Sequence, residues 1–194
     1  MKKRLIPSIL CISSLYISSA QAENNWYAGA SYGGQEISIP GRDFNTAGLI
    51  AGYEFNQFIA LETRISIGTS GYSSVYSGTK DKYSEDIDSQ GMFLLKASYP
   101  LLETLSIYGL VGYTSTKLEI EGVGAYNDIN GNIVGSFQFA NTETFNGASY
   151  GVGLDYQVTD SISIFFEHQV LPDFDPASVS ESWKASTIGF TYAF

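Results

Sequence analysis

The stretch Gly147-Ala148-Ser149-Tyr150-Gly151-Val152-Gly153-Leu154-Asp155-Tyr156 alternates strictly between two kinds of residue. Side chains of an extended chain alternate with a period of two. Ala148, Tyr150, Val152, Leu154 and Tyr156 therefore share one face, and Gly147, Ser149, Gly151, Gly153 and Asp155 share the other. A soluble sandwich or lipocalin-like barrel hides its bulky face, which here would leave a surface of glycines in water. A barrel in a bilayer reverses the arrangement: apolar side chains meet lipid, while small residues and charges fill a narrow lumen. The segment reads as one stave of a small transmembrane β-barrel.

The same alternation runs along the chain on either side. A first strand is expected over about 26–37 and a second over 44–55, with Ala47, Leu49, Ala51, Tyr53 and Phe55 on one face. The third, over 58–72, sets Ile59, Leu61, Thr63, Ile65 and Ile67 against Ala60, Glu62, Arg64, Ser66 and Gly68. The fourth ends with Phe93, Leu95, Ala97 and Tyr99 opposite Leu94, Lys96 and Ser98, and the fifth carries Leu105, Ile107, Gly109, Val111 and Tyr113 in one phase. A seventh covers 161–171, and the eighth closes on Ile188, Phe190, Tyr192 and Phe194, separated by Gly189, Thr191 and Ala193. The interruptions at 56–57, 100–104 and 159–160 are short, and those at 38–43, 73–85, 121–144 and 173–181 are longer. An even strand number with short periplasmic turns and longer outside loops is the pattern of outer-membrane barrels. The fold class expected is all-β, an eight-stranded antiparallel up-and-down transmembrane β-barrel. The longest interruption alternates again from Ile133 to Phe139 and holds the turn residues Asn127-Asp128-Ile129-Asn130-Gly131-Asn132. The fifth and sixth strands are thus expected to continue outward as a hairpin.

Lys2, Lys3 and Arg4 precede a mostly apolar run from Leu5 to Ile17, and Ala20-Gln21-Ala22 is a signal-peptidase pattern. Pro7 and the serines at 13, 14, 18 and 19 shorten the run below the roughly 20 residues of a spanning helix. Residues 1–22 are expected to be a cleaved secretory signal and 23–194 a single barrel domain. The one cysteine, Cys11, falls in the signal, so neither a disulfide scaffold nor a thiolate metal site is expected. The formal charge is −10, with Lys+Arg 10 against Asp+Glu 20, and three of the basic residues leave with the signal. Nucleic acid needs a basic face and is not an expected partner.

Several ordered pieces resemble the small outer-membrane β-barrel family, the OmpA/OmpX-like porin-family barrel domain. They are Trp26-Tyr27-Ala28-Gly29, Ala51-Gly52-Tyr53-Glu54-Phe55, Ala60-Leu61-Glu62-Thr63-Arg64, Tyr150 to Tyr156, and Phe165-Phe166-Glu167-His168. His168 departs from the pattern, which more often has an aromatic such as tyrosine there. The resemblance implies a monomer in the Gram-negative outer membrane, inserted by the barrel-assembly machinery. It also implies that Phe190, Tyr192 and Phe194 belong to a C-terminal assembly signal. No peptidoglycan-binding domain, and so no cell-wall tether, is expected.

By phase, Glu54, Glu62, Arg64, Lys96, Asp155 and Glu167 point into the lumen. Charges in so narrow a space must be paired, and the cluster reads either as a salt-bridge plug or as a narrow ion path. His168 shares the lipid-facing phase with Ile162, Ile164 and Phe166. A lipid A deacylase-like His-x-Ser would need serine where Val170 stands, so no catalytic residue is assigned. Asp128-x-Asn130-Gly131-Asn132 faintly resembles part of a calcium loop but lacks the closing bidentate acid; no metal or cofactor is expected. Tyr72, Tyr76, Tyr83, Tyr126, Phe137 and Phe139 lie in or beside the outer loops, and Tyr76, Tyr83, Tyr126 and Phe137 are the candidate contact residues. Exposed aromatics suit either a binding surface or a membrane girdle. Trp26, Tyr27, Tyr99, Tyr156, Tyr192 and Phe194 read as the periplasmic girdle, with Trp183 at the outer one. The expected function is a non-enzymatic barrel presenting surface loops, in a structural or adhesive role tied to colonisation. The alternatives are a narrow porin-like channel and, disfavoured, a lipid A-modifying enzyme. Expected partners are outer-membrane lipid and lipopolysaccharide, the assembly machinery, and a host-cell or matrix ligand.

Overall fold

The computed structural model describes residues 25–75, 82–130, 132–174 and 181–194; the expected signal over 1–22 and Tyr76 lie outside them. The strands are β1 (Trp26–Ile37), β2 (Asp43–Asn56), β3 (Ile59–Ser70), β4 (Tyr72–Val75), β5 (Lys82–Pro100), β6 (Leu105–Asn127), β7 (Ile133–Gln157), β8 (Ile162–Phe174) and β9 (Glu181–Ala193). Neighbours pair antiparallel all the way round, and β1 with β9 closes the ring. The short β4 is the outer end of the stave that β3 begins, since both pair with β5. They part at Gly71, where a Cβ would collide with the Glu85 carbonyl oxygen. The barrel therefore has the eight staves read from the sequence. Its short turns are held locally: Asn56 Oδ1 accepts from the backbone N–H groups of Phe58 (2.8 Å) and Ile59 (3.0 Å). The described residues 73–75 and 82–85, and most of 121–144, are strand rather than loop, the latter as the expected hairpin.

The register fixes the barrel's shape. Tyr156 pairs with Ile164, Ile164 with Phe190, Phe190 with Ala30 and Ala30 with Leu49. The row continues through Ile65, Gly91 and Ser115 and returns to β7 at Asn146. One lap thus climbs ten residues along β7, from 156 to 146. With eight staves, that stagger and ordinary strand spacings give a tilt of about 40° and a backbone radius of about 8 Å. Each step along a row rises about 3 Å on the barrel axis. On that scale Trp26, Tyr99, Tyr156 and Tyr192 stand at one level, all at least 46% exposed. The outward apolar side chains run from Phe194 up to Ile67, a band about 25 Å tall.

Above the band the polarity inverts. Outward positions become Glu36, Asp43, Lys184, Lys117 and Glu119, all exposed. Inward ones become Ile37, Phe44, Ile87, Leu118, Leu171, Phe174 and Trp183, each 3% exposed or less. Where lipid surrounds the barrel, the lumen must take the polar side chains. Where water surrounds it, the apolar ones move inside, as in a soluble barrel. This corrects two sequence readings. Trp183 is no girdle residue: it is 0% exposed, inside the outer lumen among Phe44, Phe145 and Phe174 at ring-centroid distances of 6.2–6.3 Å. Tyr27 also faces inward, buried against Glu62.

β6 and β7 rise beyond the rest. The β7–β8 ladder stops at Tyr150 and Val170. Two residues further on stands Pro172, which has no N–H to donate. Among the described residues β7 has no partner on that side from Ile133 to Ser149. With β4 and β5, the hairpin forms a four-stranded wall standing on the barrel rim.

Candidate functional site

Two places concentrate side chains that could act: the lumen and the inner face of the outer wall. All six sequence-derived luminal charges sit inside the barrel. The Arg64 guanidinium bridges Glu62 and Glu167, with Nε 2.8 Å from Glu62 Oε2 and Nη2 3.1 Å from Glu167 Oε2. A second link runs from Nη1 to Glu167. Lys96 Nζ lies 3.3 Å from Asp155 and 3.7 Å from Glu62. Glu54, Lys96 and Asp155 line a periplasmic vestibule of about 280 Å³. Four acids against two bases is not the imbalance that a count suggests. Tyr27 donates to Glu62 (2.6 Å), and Tyr108 and Gln169 donate to Glu167 (both 2.8 Å). These neutral donors satisfy carboxylate lone pairs that no cation reaches.

Above the charges lies a layer of amides and hydroxyls. Gln35 donates to Gln90 (2.9 Å), Gln90 to Thr116 (2.7 Å), and Thr114 and Ser149 share a hydrogen bond of 2.7 Å. The apolar cluster around Trp183 follows. Over it folds the β1–β2 turn, which needs Gly41 at φ 83°. That turn brings Arg42 to Glu85 at 2.9 Å and its guanidinium over the Phe174 ring at 5.3 Å. Tyr83 also donates to Glu85, and burial with that carboxylate raises the Tyr83 phenol above its ordinary range. Charge cluster, amide layer, apolar plug and cap thus stand in series, which opposes the ion-path reading. The expected result in a planar bilayer is silence, with no steady single-channel openings; steps of constant size would overturn it.

On the wall, Tyr83, Tyr126 and Phe137 share the inward-facing side with Tyr72 and Phe139. The ring centroids of Tyr126 and Phe137 are 5.0 Å apart, those of Phe137 and Phe139 6.3 Å, and those of Tyr72 and Tyr83 6.3 Å. Phe137 and Phe139 lie across Gly124 and Gly122, where a Cβ would strike the rings. Tyr126, Phe137 and Phe139 remain 39–56% exposed. At the tip, Asp128 accepts from the N–H groups of Asn130 and Asn132 (both 2.8 Å) and from the Asn132 side chain (3.0 Å). The Asn132 and Asn130 hydrogen bonds hold its carboxyl below the usual range. This is turn geometry, with the carboxylate already engaged. His168 faces lipid, its Nδ1 2.9 Å from Ser186 Oγ.

A closed eight-stave ring with an apolar outer band and a polar lumen is the architecture of outer-membrane barrels. The chain matches the family model of the outer membrane protein beta-barrel domain over residues 8–194. It belongs to that family. The outer-membrane barrel resembles solved structures with the same fold. Ail, the attachment invasion locus protein of Yersinia pestis, has 14% identity and a TM-score of 0.57, covering 89% of this chain and 100% of its own. Ail has also been solved with the heparin analogue sucrose octasulfate. Neisserial surface protein A gives 12% identity and a TM-score of 0.56 over 87% and 96% of the two chains. A major outer membrane protein of Thermus thermophilus gives 12% identity and a TM-score of 0.53 over 87% and 99%. Identities this low speak for the fold alone. No curated protein sequence matches the chain.

Proposed function

We propose that this outer-membrane barrel is a surface adhesin whose outer wall is the binding element. The observation that carries the reading is the state of β7 above the rim. It combines a strand edge from Ile133 to Ser149 that no described residue pairs with and an exposed aromatic face. An open edge offers backbone donors and acceptors to an incoming extended segment, and the alternate side chains supply selectivity. Soluble proteins usually cover or charge such an edge; among the described residues nothing pairs with this one, and Tyr126, Phe137 and Phe139 flank it. The sequence also says what the β6–β7 hairpin of the wall suits least. Residues 118–149 hold Glu119, Glu121, Asp128 and Glu143 and no lysine or arginine. On the hairpin a polyanion such as the heparin analogue seen with Ail would meet no lysine or arginine, and an extended protein segment of apolar or basic character fits that edge better.

The test uses bacteria displaying the full chain or a version with Glu121–Thr144 replaced by a short turn. Outer-membrane insertion is checked by heat-modifiable gel mobility. Binding to epithelial cells and to matrix proteins is expected to fall about ten-fold or more, equivalent to roughly 1.4 kcal/mol. Equal binding by the two folded forms removes the wall from the adhesive role.

A further inference from the structure

The lipid-facing belt is not evenly clad. Between β2 and β5, across β3, it holds a recess of about 650 Å³. Ala47, Gly91 and Ser89 form its floor, and Leu49, Ile65 and Ile67, each 60–61% exposed, rise beside them. The recess exists because of Gly91: a Cβ built there meets no atom within 4 Å, so space and not backbone strain is what glycine leaves. The paired rows place it in the outer half of the apolar band, with Ile67 at the band's upper limit. Its outer end is charged. Ser89 pairs with Lys117, and Lys117 Nζ lies 2.9 Å from Asp88. Asp88 is the extra residue of a bulge between Ile87 and Ser89, which turns its carboxylate to the same outward side as the lysine.

We propose that this recess is a binding site for one lipid A molecule of the outer leaflet, an acyl chain lying in the Gly91 recess and a sugar phosphate held at Lys117. Three observations carry it. The recess lies within the band that faces lipid, so its solvent is acyl chain. It lies in the outer half of that band, the leaflet in which phosphorylated glycolipid replaces phospholipid. At its head stand a cation and an anion side by side, which matches a phosphate carrying its own divalent counter-ion: Lys117 takes the phosphate and Asp88 the metal.

The experiment is native mass spectrometry of the full chain extracted from outer membranes in mild detergent, each variant first shown to be folded by heat-modifiable mobility. Hexa-acylated lipid A is then offered in competition with phosphatidylglycerol. The wild type is expected to retain one lipid A through detergent exchange and to lose it with EDTA. Gly91→Phe, which fills the slot, and Lys117→Gln are each expected to lower retention about five-fold. Ala28→Phe, on the lipid face of β1, is expected to leave it unchanged. Equal retention by wild type and Gly91→Phe, equal retention of phosphatidylglycerol, or a species of doubled protein mass in which the recess meets a second barrel would each overturn the proposal.

Discussion

Arg64→Ala is expected to cost the barrel about 3–5 kcal/mol, the range for removing one partner from a buried ion pair. Arg64 is 6% exposed and its two carboxylate partners 1% each. Without the guanidinium, Glu62 keeps Tyr27 and a distant Lys96, and Glu167 keeps only the neutral donors Tyr108 and Gln169. Two negative charges would then face each other in a lumen too narrow to hydrate them. The measurement is the urea midpoint of the folded, slow-migrating gel form in detergent micelles. A triple variant, Glu62→Gln with Arg64→Met and Glu167→Gln, separates charge from packing. It removes both the stranded charges and their counter-ion, and its midpoint is expected to return most of the way to wild type. Equal midpoints for Arg64→Ala and wild type would show that the lumen hydrates its carboxylates, and the plug reading would fail.

Trp183→Ala is the second large effect, about 3–5 kcal/mol, and it acts at the other end of the lumen. The indole is 0% exposed and is packed by Phe44, Phe145 and Phe174, so truncation leaves a cavity that stiff, hydrogen-bonded staves cannot collapse around. Because the charge cluster lies below it, the variant should still be silent in a planar bilayer. Faster backbone exchange is expected at Ile37, Leu171 and Phe44, with little change at Tyr27 or Glu62. A uniform loss of protection from one end to the other would instead mean that plug and charge cluster open as one unit.

Much of this is open to reading from the sequence, because a strand's period of two carries face information without knowledge of partners. Parity alone assigns Glu54, Glu62, Arg64, Lys96, Asp155 and Glu167 to the lumen, and they lie there. The same parity holds the signal for the two misplaced residues. Trp26 and Ala28 face out, so Tyr27 faces in; Ile188 and Phe190 face out, so Trp183 faces in. Reading aromatic residues near strand ends as girdle sets them against their own phase. Other plug residues are beyond parity. Ile87 lies past the bulge at Asp88, and Phe174 lies past the irregularity that follows Leu171, and each slip exchanges the two faces of the strand. The ten-residue stagger, the open β7 edge and the Gly91 recess depend on which residues pair across distant strands, and no local pattern records that.

The reversal of polarity along the staves also acts as a depth gauge. Sliding the barrel inward by one residue pair, about 5 Å along the axis, would press Lys184, Glu36 and Asp43 toward hydrocarbon; sliding it outward would lift Leu49 and Ile65 toward water. Neither end has slack, and a closed ring of hydrogen bonds cannot shorten. When the surrounding bilayer is thicker or thinner than the band of about 25 Å, it is therefore the lipid that stretches or compresses. The barrel sets the local thickness of its membrane, and neighbouring proteins of similar height would share that deformation and gather around it.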